Sequence, residues 1–408
     1  MNQVGNNFFK VGFEYFKNIF SFNFFLIISA VLILYLKAPN IIIFPRFWAE
    51  EGAVHFKFAH ENNLIDSMLF VYWRSGYYNL FTNLATEIAS TISLTYAPFV
   101  TTGFAFVVQL IPYIILLTGN SYLFDKEYKK IFGFLVLAFL PSMTGEIWLN
   151  TINSQIWFGL IGLFLLFENF EKMSNKRTYF YRLLFFTGGL TGLYLLVFYP
   201  FFVVKAILEK NKEIIICCFI LTITLCIQLY VFYSAIDSNL LNEKRFSNIG
   251  IQSILFVFFY QFIVPIIGKN TNFIFILITI ISFFYICTPI NSKDKISITL
   301  FLSWFSMAIF TILGSFHGDP SSRYSIISGY ILLFFLIHNS NFGQKKSILA
   351  AFMLSISILI GFFSYIKKDI TLQCDGKNWN DEVIFFLENK KNELDECPNK
   401  WKIRFDPR

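Results

Sequence analysis

Apolar runs of membrane-spanning length recur along the chain and are separated by short polar loops. The first run covers about residues 20–43, and the last ends near residue 365. A helix that crosses a hydrocarbon core of about 30 Å needs roughly 20 apolar residues. The pattern therefore predicts an all-α, polytopic membrane protein with about 9–12 transmembrane helices. The runs between the first and the last lie at 96–118, 131–140, 158–167, 183–208, 214–233, 251–267, 273–290, 296–313 and 324–337.

Two stretches interrupt this regular pattern. From Tyr77 to Thr91, apolar residues recur at helical spacing with polar residues between them. This predicts an amphipathic helix that either lies at the membrane interface or spans the membrane with its polar side facing a cavity. The run 183–208 contains three glycines and a Tyr199-Pro200 step. It is too short for two crossings at 1.5 Å per residue, so a broken or re-entrant pair of half-helices is predicted there.

Composition supports the membrane class and excludes a soluble domain. Hydrophobic residues make up 56% of the chain and charged residues 14%, and the mean hydropathy is +0.58. The net charge of +7 does not call for a nucleic acid partner. Much of the lysine and arginine lies in short loops between apolar runs, as the positive-inside rule expects. The lipid bilayer is therefore the predicted environment.

The basic loops also predict the orientation of the chain. Lysine and arginine cluster at 125–130, 172–182, 293–295 and 345–346, which places these loops in the cytoplasm. Residues 1–19 then form a cytoplasmic N-terminus, and residues 20–366 form a transmembrane domain. The predicted exported segments are three loops at 44–76, 142–155 and 315–324 and a C-terminal tail at 367–408.

The exported loops carry the candidate functional residues. An Arg46-Phe47-Trp48-Ala49-Glu50-Glu51 stretch directly follows the first apolar run, where charge close to hydrocarbon is costly. Each residue also has a simpler role, as a helix cap, a turn residue or an interfacial anchor. Together they fit a reaction centre better than scattered loop polarity. The candidates are Arg46, Trp48, Glu50, Glu51, Arg74, Glu146, Asn150, Asn153, Gln155, His317, Asp319 and Arg323.

These residue types match the needs of glycosyl transfer. A carboxylate takes the proton of the attacking hydroxyl, and a cation stabilises the departing phosphate. Glu50 or Glu51 is the candidate base, and the candidate phosphate ligands are Arg46, Arg74 and Arg323. The candidate substrate-binding residues are Trp48, Glu146, Asn150, Asn153, Gln155, His317 and Asp319. The sequence contains no nucleotide-binding motif, so a sugar donor carried on a lipid is favoured.

The cysteines fall into two groups. Four lie inside apolar runs, where they are expected to be small packing residues. Cys374 and Cys397 lie in the polar tail, and an exported tail permits a disulfide between them. Cysteine and histidine spacing suggests no zinc site.

Three short motifs resemble the GT-C class of polytopic glycosyltransferases, in particular the serotype-converting O-antigen glucosyltransferases of bacteria and their phages. Arg46 to Gly52 is similar to the acidic first exported loop of that class, which carries the catalytic carboxylate. Pro141 to Gln155, followed by Ile156-Trp157-Phe158, resembles the polar loop that ends a short helix. Gly188 to Pro200 resembles the short re-entrant helices of the fold. The likeness covers most of residues 20–365, but an aspartate is commoner in the class where Glu51 stands.

The resemblance implies a specific reaction. A hexose, expected to be glucose, would move from undecaprenyl phosphate to lipid-linked O-antigen at the periplasmic face of the bacterial inner membrane. Inversion at the anomeric carbon is expected by analogy, without a metal ion or other cofactor. A companion flippase and a polyprenyl-phosphate glucosyltransferase are the expected partners that supply the donor.

Two other functions remain open at the level of sequence. A lipid-linked oligosaccharide flippase or other transporter would line a translocation path with the same charges, but transporters often show two related halves, and no internal repeat is evident. An O-antigen polymerase would also place arginines on exported loops. It usually has a large late loop, whereas the loop at 315–324 is small.

Overall fold

The computed structural model describes residues 22–241, 249–269, 272–287, 294–315, 319, 322–340, 345–367, 378–389, 393–398 and 401–405. Over these residues the chain is mainly α-helical, which agrees with the predicted class. The first helices are α1 (Phe22–Lys37), α2 (Pro39–Ile43), α3 (Lys57–Glu61), α4 (Leu64–Leu69), α5 (Leu80–Ser90), α6 (Ala97–Thr118), α7 (Glu127–Ala138), α8 (Ser154–Leu166) and α9 (Asn175–Gly189). They are followed by α10 (Tyr199–Glu209), α11 (Lys212–Asp237), α12 (Ile251–Phe256), α13 (Val264–Ile267), α14 (Phe273–Cys287), α15 (Lys295–Gly314), α16 (Ile326–Asn339), α17 (Lys345–Lys367) and α18 (Trp379–Glu388).

Shorter helical turns connect several of these elements. π-helices lie at Glu51–Phe56 and Val257–Ile263, and the second joins α12 to α13. Single turns of 3₁₀-helix lie at Trp73–Ser75, Gly145–Ile147, Phe170–Lys172, Leu196–Phe198 and Ser322–Ser325.

Within the described ranges, four helices have membrane-spanning character. α6, α11, α15 and α17 are long and apolar enough to cross a bilayer. Four shorter apolar helices accompany them, namely α1, α8, α14 and the continuous segment Ile251–Ile267. The chain is thus a helical membrane protein, while the number of about 9–12 crossings stays a prediction.

Two short helices form the centre of the bundle. Every residue from Ile326 to Ile337 of α16 is buried, and so is every residue of α8 except Gln155. α16 packs against α15 and α17, while α8 packs against α6 and α9. At 14 and 13 residues these helices are about 20 Å long, shorter than a hydrocarbon core. They are apolar on all sides because protein surrounds them.

The helix break predicted near Gly188 to Pro200 is present. α9 ends at Gly189, the chain turns through Gly192 with a φ of +74°, and α10 begins at Tyr199. Gln228 of α11 satisfies the backbone groups that the break leaves open. Its Nε2 donates to the carbonyl oxygens of Tyr78, Gly189 and Gly192, at 3.0, 3.2 and 3.4 Å. Its Oε1 accepts from the Tyr78 backbone N at 2.9 Å, so a side chain of a spanning helix holds the break in place.

The amphipathic segment after Tyr77 forms α5, which has only 11 residues. Its polar side chains face the protein interior, since Thr82, Asn83, Thr86 and Glu87 are buried while Ile88 is exposed. The structure therefore shares the inward-facing polar side with the second predicted arrangement but not its membrane-spanning length. The helix is too short to span a bilayer on its own.

The described part of the C-terminal tail folds onto the loop at 44–76, which is the first of the predicted exported loops, and the sequence pattern did not predict this contact. β1 (Glu393–Glu396) and β2 (Trp401–Arg404) pair as an antiparallel hairpin, with Glu396 opposite Trp401. Cys397 N donates to the Phe47 carbonyl oxygen at 3.2 Å, and Ala49 N donates to the Cys397 carbonyl oxygen at 2.5 Å. The Trp379 ring meets the Phe47 ring edge-on, with centroids 5.4 Å apart. The tail is thus part of the wall around the first loop.

Candidate functional site

A cavity of about 430 Å³ brings together all three predicted exported loops. The described part of the tail and the C-terminal ends of α11 and α15 complete its wall. Seven of the predicted site residues line it, namely Trp48, Glu50, Arg74, Glu146, Asn153, Gln155 and Arg323. Residues far apart in sequence therefore converge on one site, as the sequence-based hypothesis requires.

The two adjacent glutamates occupy different environments. Glu50 lies at the N-terminal boundary of the π-helix Glu51–Phe56 and lines the cavity. Glu51 is only 1% exposed and is absent from the cavity wall. Its Oε1 accepts from the Thr151 backbone N at 2.6 Å and from the Thr151 Oγ1 at 2.5 Å, and its Oε2 accepts from the Trp48 backbone N at 3.2 Å. Glu51 therefore joins the first loop to the second, whereas Glu50 is accessible to a ligand.

Burial sets the charge state of Glu51. Burial raises the pKa of its carboxyl group to about 7, although hydrogen bonds from Thr151 and Trp48 favour the ionised form. A second buried acid, Glu396 of the tail, lies near Glu51. Burial and the negative charges of Glu51 and Glu50 raise the pKa of Glu396 well above its usual value. The junction between the first loop and the tail thus contains carboxyl groups that resist ionisation.

The three candidate arginines also differ in whether they line the cavity. Arg74, on the 3₁₀ turn Trp73–Ser75, is exposed and lines the cavity. Arg323 lines it from the turn before α16 and lies 3.7 Å from the Glu146 carboxylate.

Arg46 turns towards the tail instead. Burial lowers the pKa of its guanidinium group, and the acids that oppose this shift are Glu382, Asp395 and Asp381 of the tail. Among the described residues, its buried Nη2 has no hydrogen-bond partner. Arg46 is not part of the cavity wall.

The second loop is shaped by its own amides. Asn150 Nδ2 donates to the Glu146 carbonyl oxygen at 2.7 Å, and Asn150 Oδ1 accepts from the backbone N and Nδ2 of Asn153, at 3.1 and 2.9 Å. Asn150 is buried and does not line the cavity, so its role here is to fold the loop. Gln155 lines the cavity and donates from Nε2 to the Tyr77 hydroxyl at 3.0 Å. Trp148 is 2% exposed and packs on Trp157.

The remaining predicted residues lie either away from the described cavity wall or outside the described part of the chain. Asp319 is exposed and is not among the lining residues. His317 lies outside the described residues, and so does Cys374. Cys397 is disulfide-bonded, and Cys217, Cys218, Cys226 and Cys287 are free. The pairing of Cys397 with Cys374 stays a prediction.

Sequence reasoning missed several residues of the cavity wall. His55 lies five positions after Glu50, and Pro398 and Trp401 come from the tail. No sequence signal pointed to the histidine, because residues five apart lie on different faces of an α-helix. The lining residues that were not predicted also include four tyrosines, Tyr72, Tyr77, Tyr194 and Tyr324, and two phenylalanines, Phe232 and Phe310.

Comparison with known proteins adds no family assignment. No protein-family model, no curated protein and no solved structure matches the chain. The described residues contain no group of three histidine, cysteine, aspartate or glutamate side chains placed to hold a metal ion.

Proposed function

We propose that this protein is a GT-C-type membrane glycosyltransferase that moves a hexose from a polyprenyl-phosphate donor to a lipid-linked O-antigen acceptor. One observation carries the proposal: Glu50, Arg74 and Arg323 line the same cavity, next to the ends of two membrane-spanning helices. The cavity thus combines a carboxylate and two cations with a wall contributed by the ends of membrane-spanning helices, which suits this chemistry.

The orientation of the bundle supports an exported site. α11 begins at Lys212, close to Lys205 and Lys210, and α15 begins at Lys295. The cavity is lined by Phe232 near the other end of α11 and by Gly314 at the other end of α15. Because basic helix ends favour the cytoplasmic side, this arrangement supports a cavity on the opposite side, which in this proposal is the periplasmic side of the bacterial inner membrane.

The donor would occupy the part of the cavity nearest the spanning helices. Phe232, Phe310 and Leu313 form apolar wall there, which suits the first isoprene units of the lipid. Arg74 and Arg323 are the candidate phosphate ligands, since guanidinium groups bind phosphate oxygens with two parallel hydrogen bonds. Glu146, 3.7 Å from Arg323, orients that guanidinium group before the donor arrives.

The transfer step assigns the proton to Glu50. The acceptor hydroxyl oxygen attacks the anomeric carbon and forms the new glycosidic bond, while the bond from that carbon to the phosphate oxygen breaks. The Glu50 carboxylate takes the hydroxyl proton, and the polyprenyl phosphate leaves with its charge against the two arginines. Attack on the face opposite the phosphate inverts the anomeric configuration. Trp48 and Trp401 provide aromatic surface for the sugar rings.

Purified protein in lipid nanodiscs provides the test. It is incubated with radiolabelled undecaprenyl-phosphate glucose and O-polysaccharide that lacks side branches, and the label is followed into polysaccharide. We expect transfer with release of undecaprenyl phosphate. The same assay with other polyprenyl-phosphate hexoses identifies which sugar the protein transfers. No transfer from any of them, together with movement of a lipid-linked oligosaccharide across liposome membranes, would instead support a flippase.

A further inference from the structure

We infer that the Nε2 atom of His55 accepts a hydrogen bond from a sugar hydroxyl group in the cavity, which makes His55 a substrate-binding residue next to Glu50. The inference rests on the proposed function and deepens it, because it assigns a neutral, hydroxyl-recognising position in the same wall as Glu50, Arg74 and Arg323. His55 lines the cavity although its side chain is otherwise buried.

The tautomer of His55 follows from the hydrogen bonds of Asn83. The Asn83 Nδ2 donates to the carbonyl oxygens of Phe70 and Met68, at 2.8 and 3.3 Å. The Asn83 Oδ1 therefore faces His55, and it lies 2.8 Å from the imidazole Nδ1. An amide oxygen only accepts, so Nδ1 must carry the proton, and Nε2 keeps a lone pair.

The environment keeps this imidazole neutral. Burial lowers the pKa of His55 to about 4, and the hydrogen bond to Asn83 offsets the effect only in part. A neutral imidazole with an unprotonated Nε2 does not attract a phosphate group, whose oxygens are themselves acceptors. A hydroxyl group is the complementary partner. This separates His55 from Arg74 and Arg323, which suit the phosphate.

The π-helix explains why a histidine five residues after Glu50 reaches the same cavity. In an α-helix, residues five apart point about 140° away from each other. In a π-helix the backbone bonds run from residue i to residue i+5, as Lys57 N to the Gly52 carbonyl oxygen shows, so residues five apart lie above one another. Glu50 at the helix boundary and His55 within it both line the cavity.

Among the described residues, Asn83 is the one hydrogen-bond partner of the His55 ring. The Nε2 lone pair is left for a ligand or water, because burying an acceptor without a partner is costly. Both ring nitrogens therefore have distinct tasks. Nδ1 fixes the ring to the scaffold, and Nε2 faces the ligand.

His55→Asn separates the two tasks. The asparagine amide keeps a donor near the position of Nδ1, so the bond to Asn83 is retained, while the Nε2 acceptor is lost. His55→Ala removes both. In the nanodisc transfer assay with undecaprenyl-phosphate hexose, we expect His55→Asn to keep the melting temperature of the wild type and to lose about tenfold in kcat/KM, the effect of one hydrogen bond to a ligand. We expect His55→Ala to lower the melting temperature as well.

A wild-type value of kcat/KM in folded His55→Asn would overturn the inference and leave the proposed function intact. An inactive wild-type protein would overturn both. If His55→Asn does not fold, ¹⁵N-histidine NMR of the wild-type protein tests the inference by reporting the protonation of each ring nitrogen. The His55→Gln variant is used to assign the His55 signals. The inference expects a protonated Nδ1 and an unprotonated Nε2 whose signal shifts when undecaprenyl-phosphate hexose is added. A protonated Nε2, or an Nε2 signal that the donor does not change, would overturn it.

Discussion

Glu51 and Thr151 are joined by two hydrogen bonds to one carboxylate oxygen, from the threonine backbone N at 2.6 Å and from its hydroxyl group at 2.5 Å. The two residues come from different loops, at 44–76 and 142–155, and both are buried. The pair fixes the first loop against the second, which leaves Glu50 at the cavity. The acidic pair of the sequence thus divides into one structural and one accessible carboxylate.

The charge state of Glu51 predicts a pH dependence of stability. Its pKa is raised from 4.5 to about 7 in the folded protein. Between these values the folded state binds more protons than the unfolded state, so this contribution to stability is complete below pH 4.5 and is lost as pH rises through 7. One such proton accounts for at most about 1.4 kcal/mol per pH unit.

Glu51→Gln tests this dependence. Melting temperatures in detergent, measured across the same pH range, should fall less steeply for Glu51→Gln than for the wild type. Glu396 also has a raised pKa, so a residual slope is expected in the variant. Parallel curves for the two proteins would contradict the assignment.

Gly52 predicts a dependence of tail docking on side-chain size. A Cβ atom at this position would overlap the Glu396 carboxylate and lie 2.6 Å from the Phe47 Cβ. Gly52→Ala should therefore push the β1–β2 hairpin away from the first loop, at a cost of about 1–3 kcal/mol. We expect a lower melting temperature and faster proteolysis of the tail.

Gly103→Ala is the matched control for Gly52→Ala. Gly103 lies in α6, and no atom lies within 4 Å of a Cβ atom added at this position. Alanine favours a helix over glycine, so this variant should keep or raise the melting temperature. Equal melting temperatures for the two variants would show that the tail does not pack on Gly52.

Arg46 and Arg74 should respond differently to the same substitution. Arg74→Gln removes a cation from the cavity wall and should raise the KM for the donor about tenfold or more, because a hydrogen bond to a charged group is worth about 1.5–3 kcal/mol. Its melting temperature should not change, since Arg74 is exposed. Arg46→Gln should instead lower the melting temperature and leave the donor KM unchanged, because Arg46 faces the acids of the tail. An increase in donor KM with unchanged stability in Arg46→Gln would restore Arg46 as a phosphate ligand.

Sequence periodicity and spacing could predict the parts of this structure that depend on local pattern. Apolar run length identified the membrane helices, and glycine and proline within a run too short for two crossings identified the break after Gly189. The same pattern could not separate Glu50 from Glu51. Both are glutamates at adjacent positions, and only the directions of their side chains differ. Side-chain direction there depends on the π-helix and on Thr151, 100 positions away.

Long-range contacts explain the other differences. Arg46 was assigned to the phosphate as an arginine of a predicted exported loop, but the acids that attract it lie in the tail. Trp401 reaches the cavity through a hairpin whose strands have only four residues each, too short to give a clear periodic signal. His55 gained its place through a bond to Asn83, 28 residues later.

Sugar transfer by Glu50→Gln is the most direct test of the account, because this substitution removes the proposed base and keeps the size of the side chain. In nanodiscs with undecaprenyl-phosphate hexose and O-polysaccharide, Glu50→Gln should keep the melting temperature and the donor affinity of the wild type and lose about 10²–10⁴-fold in kcat. Glu127→Gln, on α7 away from the cavity, is the matched control and should transfer sugar normally. A Glu50→Gln protein that transfers sugar at the rate of the wild type would contradict the assignment of this cavity as the site of glycosyl transfer.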